Sequence, residues 1–185
     1  MIKNTTESYG LVAIVIHWLM AATIFATFGL GLYMVELNYY DRWYKRAFDI
    51  HKSIGICLAI SWAIRLTWRK LNPVPNALSS TAWEINLARV VHALLYLSLL
   101  VLFISGYLIS TADGRAISVF GFFEVGATLT GDKQEDVAGV VHAAAGWTLS
   151  ILVLLHFVGA LKHHFIDGDN TLRRMFRTRK PSSAS

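Results

Sequence analysis

Four stretches without a single Asp, Glu, Lys or Arg dominate this chain. They run from Ser8 to Val35, Ser53 to Ile64, Val90 to Ala112 and Val137 to Leu161, with lengths of 28, 12, 23 and 25 residues. A helix needs about 20 apolar residues to cross hydrocarbon roughly 30 Å thick, and there every backbone N–H and C=O must be satisfied internally. Three of the runs meet that length. The second does so when extended from about Ile50 to Trp68, with His51 and Lys52 at one interface and Arg65 snorkelling to the other. The expectation is an all-α integral membrane four-helix bundle, a single domain over 1–185 with spans at about 11–35, 50–68, 90–112 and 137–161. Composition agrees: 55% apolar and 16% charged residues stand against about 45–50% and about 25% in soluble proteins. That balance argues against an ordinary cytosolic enzyme, and a mean hydropathy of +0.47 with 12% aromatics and 3 prolines excludes a disordered chain.

Positive charge sets the expected orientation, because cytoplasmic ends of spans collect Lys and Arg. With both termini inside, the inner segments hold Lys3, Arg65, Arg69, Lys70, Arg89, Lys162, Arg173, Arg174, Arg177, Arg179 and Lys180, eleven in all. The outer segments hold six: Arg42, Lys45, Arg46, Lys52, Arg115 and Lys133. Both termini are therefore expected in the cytoplasm. The first run exceeds the roughly 7–15 apolar residues of a cleavable signal peptide and is read as a retained span. Leu71 to Ser80, with Pro73 and Pro75, reads as a cytoplasmic loop, while the apolar stretch Ser118 to Leu129 reads as lying in the outer interface. The basic tail over 172–185 suits contact with anionic lipid, and the same topology accounts for a pI near 9.5 without nucleic acid.

Seven histidines are sorted by depth. His17 lies six residues beyond Leu11, and His156 five residues before Leu161, so both sit about one and a half turns inside the same membrane face. His51 opens the second span from the other side, and His142 lies just inside the matching end of the fourth. The fourteen residues from His142 to His156 are two heptads, so both rings project from one helix face about 21 Å apart along the axis. One metal ion cannot span that distance. Two b-type haems stacked in the bundle core can, each gripped by one imidazole of the fourth helix and one from another. The expected pairs are His51 with His142 and His17 with His156, with His92 as a substitute for one member of the second pair. The lone Cys57 offers neither a disulfide nor a cysteine cluster. Gly55, Gly146 and Gly159 lie three or four residues from a histidine on its own face and would leave room for a porphyrin. His163 continues the heptad toward the cytoplasm, whereas His164 is turned about 100° away.

The residues that carry these features resemble a known family. Ile16-His17-Trp18-Leu19, His51-Lys52-Ser53-Ile54-Gly55, His142-Ala143-Ala144-Ala145-Gly146, Leu155-His156 and Lys162-His163-His164-Phe165, followed by Asp169-Asn170-Thr171-Leu172, resemble the bacterial di-haem cytochrome b-561 family over nearly the whole chain. The resemblance implies the same two ligand pairs. Compact four-helix members of this length resemble superoxide oxidase, which implies an oxidoreductase taking electrons from superoxide outside the membrane and delivering them to ubiquinone. For that role Lys52, Arg46 and Arg115, with Arg42 and Lys45 nearby, are candidates for attracting superoxide by electrostatic focusing. His163, Lys162 and Arg89 are candidates near a quinone headgroup or a haem propionate. Two other functions compete. One is a cytochrome b subunit passing electrons between a partner dehydrogenase or hydrogenase and the quinone pool; the other is a haem-free transporter, disfavoured because the first, third and fourth spans lack Asp, Glu, Lys, Arg and Pro.

Overall fold

A computed structural model describes residues 1–78 and 81–178. Four helices carry most of it: α1 Leu11–Val35, α2 Tyr44–Leu71, α3 Ala82–Ser110 and α4 Gln134–Phe165. All four are long and apolar enough to cross a membrane. Three of the helices extend past the charge-free runs: α2 starts at Tyr44 and ends at Leu71, α3 starts at Ala82, and α4 runs from Gln134 to Phe165. Charge patterning at the ends explains this. Glu135 and Asp136 occupy the first turn of α4 and Lys162, His163 and His164 its last, while α2 ends on Arg69 and Lys70, each favourable to the helix dipole. Side chains too polar for hydrocarbon thus continue the hydrogen-bonded helix into the interface.

The strands among the described residues form a hairpin of β1 Ile117–Val119 and β2 Phe123–Val125, antiparallel, with Val119 opposite Phe123. Its loop uses Phe120 at φ 50° and Gly121 at φ 77°. Glycine adopts that region freely, but for Phe120 it is uncommon and must be held by its surroundings. The expected interfacial stretch Ser118–Leu129 is therefore an ordered structure.

The chain divides into two compact units, and every helix contributes to both. The first comprises 1–19, 61–95 and 151–185, of which 79–80 and 179–185 lie outside the described residues. Within it the N-terminal segment folds onto the loop after α2: Asn4 accepts a hydrogen bond from the Gly10 N–H at 2.9 Å and donates to the Pro73 carbonyl at 3.1 Å. Gly10 is required there, since a Cβ would fall 2.2 Å from the Ile2 carbonyl oxygen. After α4 the chain makes a single 3-10 turn, Arg173–Met175. The Trp18 indole N–H donates to the Met175 carbonyl at 2.6 Å, the Trp18 and Phe176 rings meet at 4.7 Å, and Arg174 donates to the Asn76 carbonyl at 2.8 Å. Part of the expected tail, 172–178, is thus fastened to the unit; Arg179 and Lys180, like Ser79 and Ser80 of the expected loop, lie outside the described residues.

The second unit comprises 20–60 and 96–150. Its tightest burial is under the hairpin, where Ile117 and Val119 are enclosed beside Ser53 of α2. The Ser53 hydroxyl donates to the Asp49 carbonyl at 2.7 Å and receives the Phe120 N–H at 3.1 Å. The latter contact anchors the left-handed residue. On the α3 side, the Tyr107 hydroxyl donates to the Gly126 carbonyl at 2.8 Å and accepts the Thr128 N–H at 2.9 Å.

Candidate functional site

Each unit contains one pair of facing imidazoles. In the second unit His51 of α2 and His142 of α4 have ring centres 6.2 Å apart, with planes inclined at 71°. In the first unit His17 of α1 and His156 of α4 have ring centres 6.3 Å apart, again inclined at 71°. A metal–imidazole bond of about 2.0–2.1 Å on each side, plus about 1.1 Å from ring nitrogen to ring centre, places two axial imidazoles about 6.3 Å apart. Both pairs meet that requirement, and a rotation of one ring against the other about the ligand axis is compatible with it. His92 does not fit in the same way. Its ring lies 5.0 Å from that of His156, too close for the two to take opposite sides of one iron.

Ring orientation is as telling as separation. The Ser105 hydroxyl donates to the Val101 carbonyl at 2.7 Å, so its oxygen is left to accept from His142 Nδ1 at 3.0 Å. With the proton held on Nδ1, the Nε2 lone pair of His142 is available to a metal. Backbone closeness matters too. A Cβ on Gly106 would lie 3.1 Å from His142 Cε1, and one on Gly31 would lie 3.3 Å from His51 Cε1. These two glycines let α3 and α1 approach the ligand rings. His51 Nδ1 is buried without a hydrogen-bond partner of good geometry, beside the Thr27 carbonyl. The glycines singled out from the sequence are placed differently: Gly55 and Gly159 face open space within 4 Å, and Gly146 would touch Phe28 at 4.0 Å. Room beside Gly55 and Gly159 suits a planar macrocycle.

The donor set and spacing therefore fit haem in both units. Ser105, Gly31 and Gly106 escaped the sequence reading. Their only signal is that they are small or polar side chains among Leu, Ile and Phe, and no spacing rule within one helix points to a ligand on another.

The remaining candidates fall into two groups. In the second unit, Arg46 lies over the Trp43 ring at 5.4 Å, Lys52 pairs with Asp49 at 3.3 Å and the exposed Arg115 pairs with Asp113 at 2.7 Å. The Arg115 backbone N–H, followed by its side chain, holds the Asp113 carboxyl below the usual carboxylate range. Each candidate cation thus has a local contact. In the first unit, Lys162 is bound by Glu84 of α3 and by Asp167 at 2.9 Å. His163 Nδ1 lies 2.9 Å from Asp169 and 3.1 Å from Asp167. Partial burial works against the Asp169 charge, but the Thr171 N–H at 2.7 Å, its hydroxyl and His163 hold the carboxyl below the usual range. Glu84, His163 and Asp167 present ligand atoms within 4.8 Å of one another, with Lys162 already supplying a cation to both carboxylates. Arg89 stands apart, exposed and bonded to Asn86 of its own helix at 3.2 Å.

Comparison with known proteins bears on these sites. The family model described as "Prokaryotic cytochrome b561" matches residues 8–178. "Cytochrome b561 homolog 2" of Escherichia coli (strain K12) is 50% identical over 174 residues, 93% of each chain. "Probable superoxide oxidase CybB" of Yersinia pestis is 28% identical over 171 residues, 91% of this chain and 96% of that one. "Cytochrome b561 homolog 1" of Escherichia coli (strain K12) is 26% identical over 133 residues, 71% of this chain and 76% of its own. Four membrane-length helices that present imidazoles at axial spacing are what a b-type membrane cytochrome requires, and with a match reaching across both units this chain belongs to the prokaryotic cytochrome b561 family.

Proposed function

We propose that this chain is a di-haem superoxide oxidase that carries electrons from superoxide on the periplasmic side of the bacterial inner membrane to ubiquinone on the cytoplasmic side. The observation that carries the reading is the duplicate imidazole pair, His51/His142 at 6.2 Å and His17/His156 at 6.3 Å. The superoxide assignment draws on similarity to the Yersinia pestis relative over 91% of the chain. Haem b, when bound, supplies one-electron redox chemistry. The protein supplies the rest. Two superoxide anions give up one electron each and leave as dioxygen, and two electrons with two protons convert one ubiquinone to its quinol.

In this reading His51 and His142 hold the periplasmic haem and His17 and His156 the cytoplasmic one. Ser105 keeps the His142 proton on Nδ1. Arg46, Lys52 and Arg115 give superoxide a cationic approach, although Asp49 and Asp113 moderate the field of the last two. At the cytoplasmic end, His163 and Lys162 serve the quinone headgroup from a network that also contains Glu84, Asp167 and Asp169. Arg89 is then an interfacial anchor with a local partner.

The test is an anaerobic stopped-flow absorbance measurement on the purified, oxidised, haem-loaded protein mixed with superoxide. Rapid appearance of reduced b-type bands, followed by reoxidation on addition of ubiquinone, is expected. Bands that respond only to quinol or a chemical reductant would remove superoxide as donor. They would support a cytochrome subunit serving a partner dehydrogenase or hydrogenase.

A further inference from the structure

The 3-10 turn after α4 borders a space that none of the four paired histidines lines. An open pocket of about 590 Å³ lies between the end of α4 and this turn, lined by His164, Leu172, Arg173, Phe176 and Arg177. That size is within the about 300–1,000 Å³ of small-ligand sites. Its chemistry is polarised. In a tight helical turn, residues three and four apart share a face, which brings Arg173, Phe176 and Arg177 to one side. Among the described residues neither Arg173 nor Arg177 takes part in an ion pair, because Asp167 and Asp169 are engaged with Lys162 and His163. His164 Nδ1 is buried and has no hydrogen-bond partner. Two guanidiniums outside any ion pair and an imidazole nitrogen without a hydrogen bond, among the described residues, thus line one pocket.

The walls are fixed by contacts already described. Asp169 receives the Thr171 N–H at the start of the turn, Trp18 binds the Met175 carbonyl and packs on Phe176, and Arg174 reaches the Asn76 carbonyl. The chain that continues from the lining residue His164 is apolar and exposed, with Phe165 at 75% and Ile166 at 77% where the membrane-length helix α4 ends, and the lining residue Phe176 is 59% exposed. A cationic recess bordered by exposed apolar side chains at such a helix end matches an amphiphile with an anionic head, whereas a water-soluble anion would have no use for the apolar border.

We propose that this pocket binds the phosphate of an anionic membrane phospholipid, with Arg173 and Arg177 supplying the positive charge and Phe165, Ile166 and Phe176 lying along its acyl chains. Arginine suits the task because its guanidinium engages two phosphate oxygens at once.

The experiment uses the haem-loaded protein in detergent with equal amounts of phosphatidylglycerol and phosphatidylcholine, and native mass spectrometry reads the ratio retained. A guanidinium near an anionic headgroup is worth roughly a five-fold preference, so wild type is expected to favour phosphatidylglycerol by roughly twenty-fold or more. R173Q/R177Q is expected to bring the ratio close to one with haem content unchanged. Arg177→Gln alone, which removes no side-chain hydrogen bond among those described, is expected to lower it roughly five-fold and serves should the double variant fail to fold. K3Q/K70Q, which removes the same charge from elsewhere in the unit, is expected to leave the ratio intact; an equal loss there would overturn the pocket assignment in favour of general charge attraction. Inorganic phosphate at millimolar concentration is expected to leave the lipid in place. Displacement by phosphate would make this a soluble-anion site, and equal retention of both lipids in wild type would sink the proposal outright.

Discussion

At the residue scale, the least conspicuous polar side chain in the third helix has the clearest job. Ser105 gives its proton to a carbonyl of its own helix and turns a lone pair toward His142 Nδ1. Hydrogen-bond partners of metal-ligating histidines typically contribute 10–100-fold to affinity. Ser105→Ala is expected to weaken haem retention at the His51/His142 pair by that order while leaving the His17/His156 pair loaded, as read by haem titration into the apoprotein. Histidine depth and heptad spacing made the four candidate ligands legible from the sequence. The contributions of Ser105, Gly31 and Gly106 were not, because each serves a ring on another helix, and the spacing of side chains within one helix contains no information about its neighbours. His92 shows the same limit. It lies near the same end of its span as the first-unit pair, and its 5.0 Å approach to His156, too close for those two to stand across one iron, emerges only once the helices are packed.

At the scale of elements, two pieces outside the four helices each rest on a side chain whose removal can be tested. The hairpin is anchored through Ser53, which receives the N–H of Phe120 in its left-handed conformation. Ser53→Ala removes that acceptor and is expected to cost about 1–3 kcal/mol of local stability, seen as faster proteolysis at the 120–122 loop without loss of helix content. The turn after α4 is anchored through Asp169, whose carboxyl is held below its ordinary range. A depressed carboxylate contributes stability that is fully present above its unfolded value and disappears as pH falls through the folded one. Docking of the turn on Trp18 is therefore expected to be intact at pH 7 and to be lost only on acidification below the usual carboxylate range. Trp18 fluorescence, isolated by difference against Trp18→Phe, would follow this, and Asp169→Asn should abolish the acid transition. The sequence marked Ser118–Leu129 as interfacial and the tail as basic, but neither the strand pairing nor the docked turn was legible, since each depends on partners far along the chain.

At the scale of the whole molecule, membership of the cytochrome b561 family makes this a membrane electron-transfer protein with b-type haem. In the proposed reading each histidine pair holds one haem. Two haems per chain are expected by pyridine haemochrome analysis, falling to one in His51→Ala or His142→Ala and to one in His17→Ala or His156→Ala, with His92→Ala keeping both. By itself the sequence determined that four segments are long and apolar enough to cross a membrane, and which histidines lie at comparable distances from their ends. The physical reason is that lipid imposes a length and a charge rule on each segment separately, and a continuous helix converts residue number directly into depth. Only the tertiary structure decided that the paired rings stand 6.2 and 6.3 Å apart, that the Ser105 hydroxyl meets His142 Nδ1, and that residues 172–177 make a pocket with His164. Those depend on rotation and close approach between segments, which neither hydrophobic length nor charge placement specifies.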